Sequence, residues 1–434
     1  MTSGAVVQRG AGQAAPRSAK LAYVLLVLLV LALQFGPLAG AIGFRLTDDP
    51  RWALNGILRD AAVAVLVALG GAAWLTSQRR QPLPPSARWA LVTVAVFATF
   101  ALLSGLSLLL VALNLRRLAL MPLLFVALLL IPWTPRQIDR LFGLVVASSV
   151  IVALFGLFEL AAPESFWTEL LDVDNYSAAN QFDRFGKIGF RDGGRFFSGD
   201  LEPWTGQVLR RMVSSYLEPT TLAAAMAVLT AAALARRARG HGALLPLLLG
   251  VAGGLATISK GYWLFVLLLL SWRLLGAPSP RHLLALSAVT CAVVLAAPTL
   301  QPATSGAMVH VAGLTSALQY LSQGNLGGEG IGLAGNYTDA EIDFGEESGL
   351  GNAVGQVGLA GLLPLLWVAA LARDVFRAAA ARRDPGGPWL AAWLVFWTMT
   401  YLLSASSLGV GGNTLGFMLL ALYLHPASAV RVPR

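Results

Sequence analysis

Cysteine is almost absent: Cys291 stands alone in the 434 residues, and it lies inside an apolar stretch. A single thiol excludes an intrachain disulfide and a cysteine-built metal site. Histidine is nearly as scarce, with four scattered copies. No HExxH pair, CxxC, Walker A loop or GxSxG turn occurs, so the motif-bearing metalloprotease, thiol-redox, P-loop and nucleophile-elbow classes find no footing. The sequence demands no cofactor and no metal. Charge is also sparse, at 12% of residues against 56% hydrophobic, too apolar for a soluble chain of this length.

What is present is hydrocarbon-soluble helix. Apolar stretches long enough to cross roughly 30 Å of lipid recur about twelve times. They fall near 20–41, 53–76, 88–113, 117–133, 138–161, 219–235, 243–258, 261–276, 282–299, 350–372, 389–406 and 412–425. The alternation that a lipid-facing barrel strand needs is missing, so the expected fold is an all-α, polytopic transmembrane bundle. The first stretch is too long for a cleaved signal peptide and no small-residue cleavage site follows it.

Arginine placement sets the expected orientation, because short basic loops stay in the cytoplasm. With the tail carrying Arg9, Arg17 and Lys20 inside, the groups at Arg79/Arg80, Arg136/Arg140, Arg236/Arg237/Arg239, Arg273/Arg281, Arg373/Arg377/Arg382/Arg383 and Arg431/Arg434 fall inside as well. Both termini are then cytoplasmic. The net charge of +9 reports this topology and anionic lipid headgroups, with no nucleic-acid partner implied.

Fifteen of the 22 carboxylates lie in two long polar segments, Ala162–Glu218 and Leu300–Gly349, so both are expected to face the extracytoplasmic side. The chain thus divides into helices 1–5 (1–161), a first outer loop (162–218), helices 6–9 (219–299), a second outer loop (300–349) and helices 10–12 (350–434). The first loop mixes nine acids with Arg184, Lys187, Arg191, Arg195, Arg210 and Arg211, and interleaves aromatics such as Trp204 and Tyr216. Planar guanidinium forks grip phosphate oxygens and aromatic faces stack on sugar rings; solvated or mutually paired surface charge is the plainer alternative.

The second loop has no Lys or Arg between Arg281 and Arg373, yet carries Glu329, Asp339, Glu341, Asp343, Glu346 and Glu347. Six acids without a local base predict docking on the arginines of the first loop or on a cationic ligand. Its glycine run, Gly324 to Gly335, suits a backbone cradle for phosphate or sugar as well as a flexible connection. Residues 305–323 read as an extracytoplasmic amphipathic helix bearing His310.

The stretch Arg211-Met-Val-Ser-Ser-Tyr-Leu-Glu-Pro-Thr-Thr-Leu-Ala223 resembles the approach to a transmembrane helix in the O-antigen ligase and polymerase superfamily. Ile258-Ser-Lys-Gly261 is similar to that family's Ser-Arg-Gly stretch. Gly330-Ile-Gly-Leu and Glu347-Ser-Gly-Leu-Gly-Asn-Ala-Val-Gly-Gln-Val-Gly-Leu-Ala-Gly361 look like its second outer loop and following helix. Where ligases of the family place a His-Asn pair, this chain has Glu347-Ser348, which favours the polysaccharide-polymerase branch over transfer to lipid A or protein.

The resemblance implies a C-class glycosyltransferase fold and metal-independent, inverting transfer of a glycan from an undecaprenyl diphosphate carrier to an acceptor hydroxyl at the bacterial inner membrane. Carrier-linked donor and acceptor are the implied partners, with membrane lipid and, beyond them, a flippase and a chain-length regulator. Arg211 leads the diphosphate-binding set, followed by Arg210, Arg191, Arg195 and Lys260, since donors aimed at developing charge can each be worth roughly 3 kcal/mol. Glu347 leads as general base, with Glu218, Glu346, Glu329 and His310 behind it. Sugar contacts fall to Glu329, Glu346, Trp204, Tyr216 and Gln356. Glu218 before Pro219 reads equally as a helix cap. Arg59-Asp60, inside the second span, reads as a structural ion pair, and the glycosylation-like Asn175-Tyr-Ser and Asn336-Tyr-Thr as chance. A transporter or flippase is the non-enzymatic alternative, disfavoured by the lack of an internal repeat and the few charges at midplane.

Overall fold

The computed structural model describes residues 17–49, 51–52, 56–77, 82–179, 196–199, 201–275, 279–282, 307–332 and 348–429, with positions 285 and 289. Over these residues the chain is a mostly helical membrane-type bundle, and seven helical stretches are long and apolar enough to cross a membrane. In chain order the helices are α1 (Arg17–Thr47), α2 (Gly56–Thr76), α3 (Pro85–Leu103), α4 (Leu108–Leu130) and α5 (Pro135–Ala161). The short α6 (Val173–Ala179) and α7 (Glu202–Thr205) follow, then α8 (Pro219–Ala238), α9 (Leu244–Ala256) and α10 (Lys260–Leu275). The last five are α11 (Ala307–Ser322), α12 (Gly349–Val357), α13 (Leu363–Arg382), α14 (Gly387–Leu403) and α15 (Gly412–Leu424). Two residue pairs, Phe197–Ser198 and Leu209–Arg210, form an antiparallel ribbon in register Phe197 to Arg210.

Local chemistry starts and stops these helices. Pro135 opens α5 behind a Thr134/Gln137 capping box. Ser107 caps α4 by accepting from Leu110 N, after Gly105 turns the chain at φ +64°. That break at 104–107 corrects the boundary expected near 114–116, so Arg116 and Arg117 lie inside a helix and not between two. The stretch 350–372 is likewise not one helix. Gly358, at φ +58°, ends α12, and a 3-10 turn over Gly358–Leu362 leads into α13. Most of the stretch 282–299 lies outside the described residues.

The alanine-rich α8 is the axis of the bundle, buried over 78% of its apolar window and packed on α5, α9, α14 and α15. Small side chains let neighbours approach its backbone: a Cβ on Gly412 of α15 would stand 2.5 Å from both Thr221 O and Ala225 N. By contrast α2 is peripheral, with 17% of its window buried.

The ends of the bundle differ. At one, Arg239 at the end of α8 holds Asp384, in the α13–α14 turn, through two 2.8 Å bonds, and Arg382 donates to Tyr423 O at 2.6 Å. At the other, the polar segments on either side of α6, α7 and α11 join the helices; it is called the loop end below.

Candidate functional site at the loop end

Glu159, in the last turn of α5, is fully buried. A bare carboxylate there would be prohibitive, and the fold surrounds it with donors: Trp167 Nε1 at 2.9 Å, Val213 N at 2.8 Å, Ser214 N at 3.4 Å and the Arg210 guanidinium at 3.3 Å. Arg210 also donates to the carbonyls of Ala162 and Glu159 at the end of α5. Its guanidinium is therefore engaged in holding the first loop to α5, which corrects its assignment to the diphosphate.

A second knot lies beside it. Gln34 in α1 donates to Ser148 and Ser149 of α5 and accepts from Tyr216 Oη at 2.7 Å, while Ser215 Oγ donates to the Gln34 carbonyl. Tyr216 is thereby a core tie, its phenol pushed up by burial, and offers no face to a sugar. These two knots fix the segment that presents Arg211.

Arg211 is half-buried. Its backbone N–H donates to Phe196 O at 2.7 Å, and its Nε donates to Thr257 O at 2.8 Å, in the turn that ends α9. Three residues further on stands Lys260, exposed at the start of α10. The Ile258-Ser-Lys-Gly261 stretch thus meets the Arg211 stretch, with Met212 N bonded to Ala256 O at 2.9 Å. Gly261 packs within 3.3 Å of Thr400 near the end of α14, where a Cβ would lie.

Glu218 caps α8. It accepts from Thr221 N at 3.1 Å and from the hydroxyls of Thr220 and Thr221. Thr221 in turn contacts Gly411 and Gly412 at the start of α15. On the far side of that turn, Ser348 caps α12 through Gly351 N and donates to Leu402 O at 2.7 Å. Gly313 of α11 packs against Ser348, with a Cβ 3.0 Å from Ser348 Cβ, and His310 stands one helical turn before it.

Arg211, Lys260, Glu218, Ser348 and the helix bearing His310 are therefore all at one end of the bundle. Glu346 and Glu347, the immediate predecessors of Ser348, lie outside the described residues, as do Arg191 and Arg195 and the side chains of His310 and Trp204.

The described glycines of the second loop serve the fold itself. Glu329 N and Gly330 N donate to Gly355 O and Gln356 O, and Leu359 N donates to Leu326 O. Gly328, at φ +71°, comes so close that a Cβ would stand 2.6 Å from Val357 N. Residues 326–332 thus close on α12, which corrects the cradle reading for this part of the run. Gln356 completes the closure: it is buried, accepting from Gly332 N at 3.1 Å and donating to Asn352 Oδ1 at 2.6 Å, so it too is structural. Glu329 is exposed and accepts from Tyr320 Oη at 2.7 Å. Partial burial and that carboxylate push the Tyr320 phenol up to about 12.

Two features escaped sequence reasoning. One is an open depression of about 770 Å³ between the ends of α1 and α5, bordered by Arg45, Phe158, Phe166 and Glu169. The other is the partner of Asp60: Arg116 Nη1, from α4, at 2.7 Å. Its signal lies in the sequence, as an Arg-Arg pair inside an apolar run, at the point where hydropathy predicts a helix boundary. No protein-family model matches this chain, and no curated protein matches it in sequence.

Proposed function

We propose that this chain is a glycosyltransferase of the bacterial inner membrane that polymerises lipid-linked oligosaccharide repeat units on the extracytoplasmic side, with about twelve spans and a C-class fold. The observation that carries the reading is the convergence of Arg211 and Lys260 on one turn, at the same end of the bundle as Ser348, the chain neighbour of Glu347.

In this reading Arg211 and Lys260 face the donor's diphosphate, and Arg191 and Arg195 add to them. As the acceptor hydroxyl oxygen attacks the anomeric carbon, the bond from that carbon to the diphosphate oxygen breaks, and the charge that develops there is met by cations already in place. Glu347 takes the hydroxyl proton, a contribution of typically about 10²–10⁴ in rate. Attack opposite the leaving group inverts the anomeric centre. Glu218 retains a capping role, carried by its three accepted contacts from Thr220 and Thr221.

The test is chain length on the lipid carrier in cells expressing Arg211→Ala or Glu347→Gln. A polymerase variant accumulates single repeat units on the outer face, with chain formation down about 10²-fold or more. Single repeats stranded on the cytoplasmic face would mean transport instead. Long carrier-linked chains that never reach lipid A or protein would mean a ligase.

A further inference from the structure

The depression between the ends of α1 and α5 takes no part in the chemistry above. It lies where hydrocarbon gives way to headgroups. The helix α5, at 27 residues, rises about 40 Å against roughly 30 Å of lipid core, so its ends stand at headgroup depth. Phe158 of α5 and Leu170 border the depression and are exposed, and Phe166 packs edge-on against Phe158 at 5.9 Å. Below Phe158 the same face of α5 continues with the exposed Ile151 and Leu154. On α1 the exposed Ile42 and Leu46 flank Arg45. An open apolar track thus runs from the depression down the outer side of the bundle.

Two charges of opposite sign stand at the head of this track. Arg45 and Glu169 both border the depression and are exposed. Among the described residues neither side chain is engaged in an ion pair or a hydrogen bond, with the other or with any neighbour. A cation and an anion set apart on one depression complement a ligand that carries both charges, and the track beneath complements its chains. Phosphatidylethanolamine has this order: a phosphodiester for the guanidinium, a primary ammonium for the carboxylate, and acyl chains below. Other lipids fit less of it. Phosphatidylglycerol and a polyprenyl diphosphate bring no cation and meet Glu169 as a like charge. The quaternary ammonium of phosphatidylcholine has no N–H to donate.

We propose that Arg45 and Glu169 hold the headgroup of a phosphatidylethanolamine molecule, whose chains lie along Phe158, Leu154 and Ile151. Neither charged residue belongs to the glycosyl transfer proposed above, so the lipid site stands or falls apart from it. Its place matters to the fold. Ala162 also borders the depression, and its carbonyl is held by Arg210 at 3.0 Å, so a seated headgroup braces the segment that presents Arg211.

Delipidated protein in detergent is titrated with phosphatidylethanolamine, phosphatidylcholine or phosphatidylglycerol of the same acyl chains, and bound lipid is counted by native mass spectrometry. Wild type should hold one equivalent of phosphatidylethanolamine about 5-fold more tightly than either of the others, the scale of one exposed ion pair. Arg45→Gln should weaken phosphatidylethanolamine by a similar factor. Glu169→Gln should move two lipids in opposite directions, with phosphatidylethanolamine held less tightly and phosphatidylglycerol more tightly, while phosphatidylcholine stays as it was. Should Arg45→Gln not fold, Glu169→Lys carries the test alone, turning the preference toward phosphatidylglycerol.

A side chain with a merely structural role would shift all three lipids together, and that result in Glu169→Gln would overturn the assignment. So would equal retention of the three lipids by wild type, a wild-type preference for phosphatidylglycerol, or a preference for phosphatidylethanolamine that survives both substitutions.

Discussion

Glu159 shows what one side chain must do when an apolar helix ends inside protein. Buried entirely, it accepts from the Trp167 indole, two backbone amides and a guanidinium, and the last three of those donors belong to the segment that presents Arg211. Replacing it by Ala leaves Arg210 and two amides facing a void, and breaking a buried pair by removing one partner costs about 3–5 kcal/mol. Glu159→Ala should therefore lower the denaturation midpoint of the purified protein sharply, whereas Glu159→Gln, which still accepts on one oxygen, should lose less. A midpoint unchanged in Glu159→Ala would mean that the segment is held by something else. Composition does not distinguish Arg210 from Arg211, both basic, adjacent and at the end of a polar loop, and only the resemblance that starts at Arg211 ranks it first. The antiparallel ribbon decided between them, turning one toward α5 and the other toward the α9–α10 turn.

Elements are joined at both ends by contacts of different kinds. At the end away from the loops, burial pushes the Asp384 carboxyl up, but the bidentate Arg239 guanidinium and the Gly386 amide outweigh it and hold it at about 2, below its ordinary 3.8. A carboxylate held below its unfolded value stabilises the fold above that value and loses the contribution as the pH falls through the folded one. The melting-temperature gap between wild type and Asp384→Asn should thus be constant above about pH 4 and close as the pH falls toward about 2. A gap that persists at the lowest pH would mean that Arg239 is not what Asp384 contributes.

At the loop end the joint is backbone on backbone. Gly328→Ala places a methyl against Val357 N at a positive φ, so it should uncouple residues 326–332 from α12. Faster amide hydrogen exchange at Glu329 and Gly330, with α8 unaffected, is the expected signature. Here the run of glycines was legible as backbone freedom, but whether that freedom served a ligand or the chain itself depended on residues some thirty positions away. Helix identity was legible for most long apolar runs, because hydrophobic length alone specifies it. The α3–α4 boundary was misplaced because hydropathy is continuous across Ser104–Ser107, and only the Ser107 cap and the Gly105 turn interrupt it.

At the scale of the whole molecule, the proposed topology distributes the charge of +9 so that the short basic turns share one end and the long acidic and mixed segments the other. On the proposed orientation, Lys260→Cys in a Cys291→Ala background should react with a membrane-impermeant maleimide added to intact spheroplasts, and Arg383→Cys should react only after lysis. The reverse pattern would place the loop end in the cytoplasm and remove the compartment in which the proposed chemistry occurs.

What the sequence by itself determined is the solvent. Long apolar runs and scarce charge call for helices able to cross a membrane, which satisfy their own backbone amides, and seven such helical stretches stand among the described residues. What only the tertiary structure decided is which charged groups meet. Arg211 reaches the turn before Lys260, Arg210 is withdrawn to α5, and Asp60 finds Arg116 on a helix more than fifty residues on. The physical reason is that hydrophobicity is a local, additive property that can be read along the chain, whereas a guanidinium's partner is fixed by packing between helices far apart in sequence.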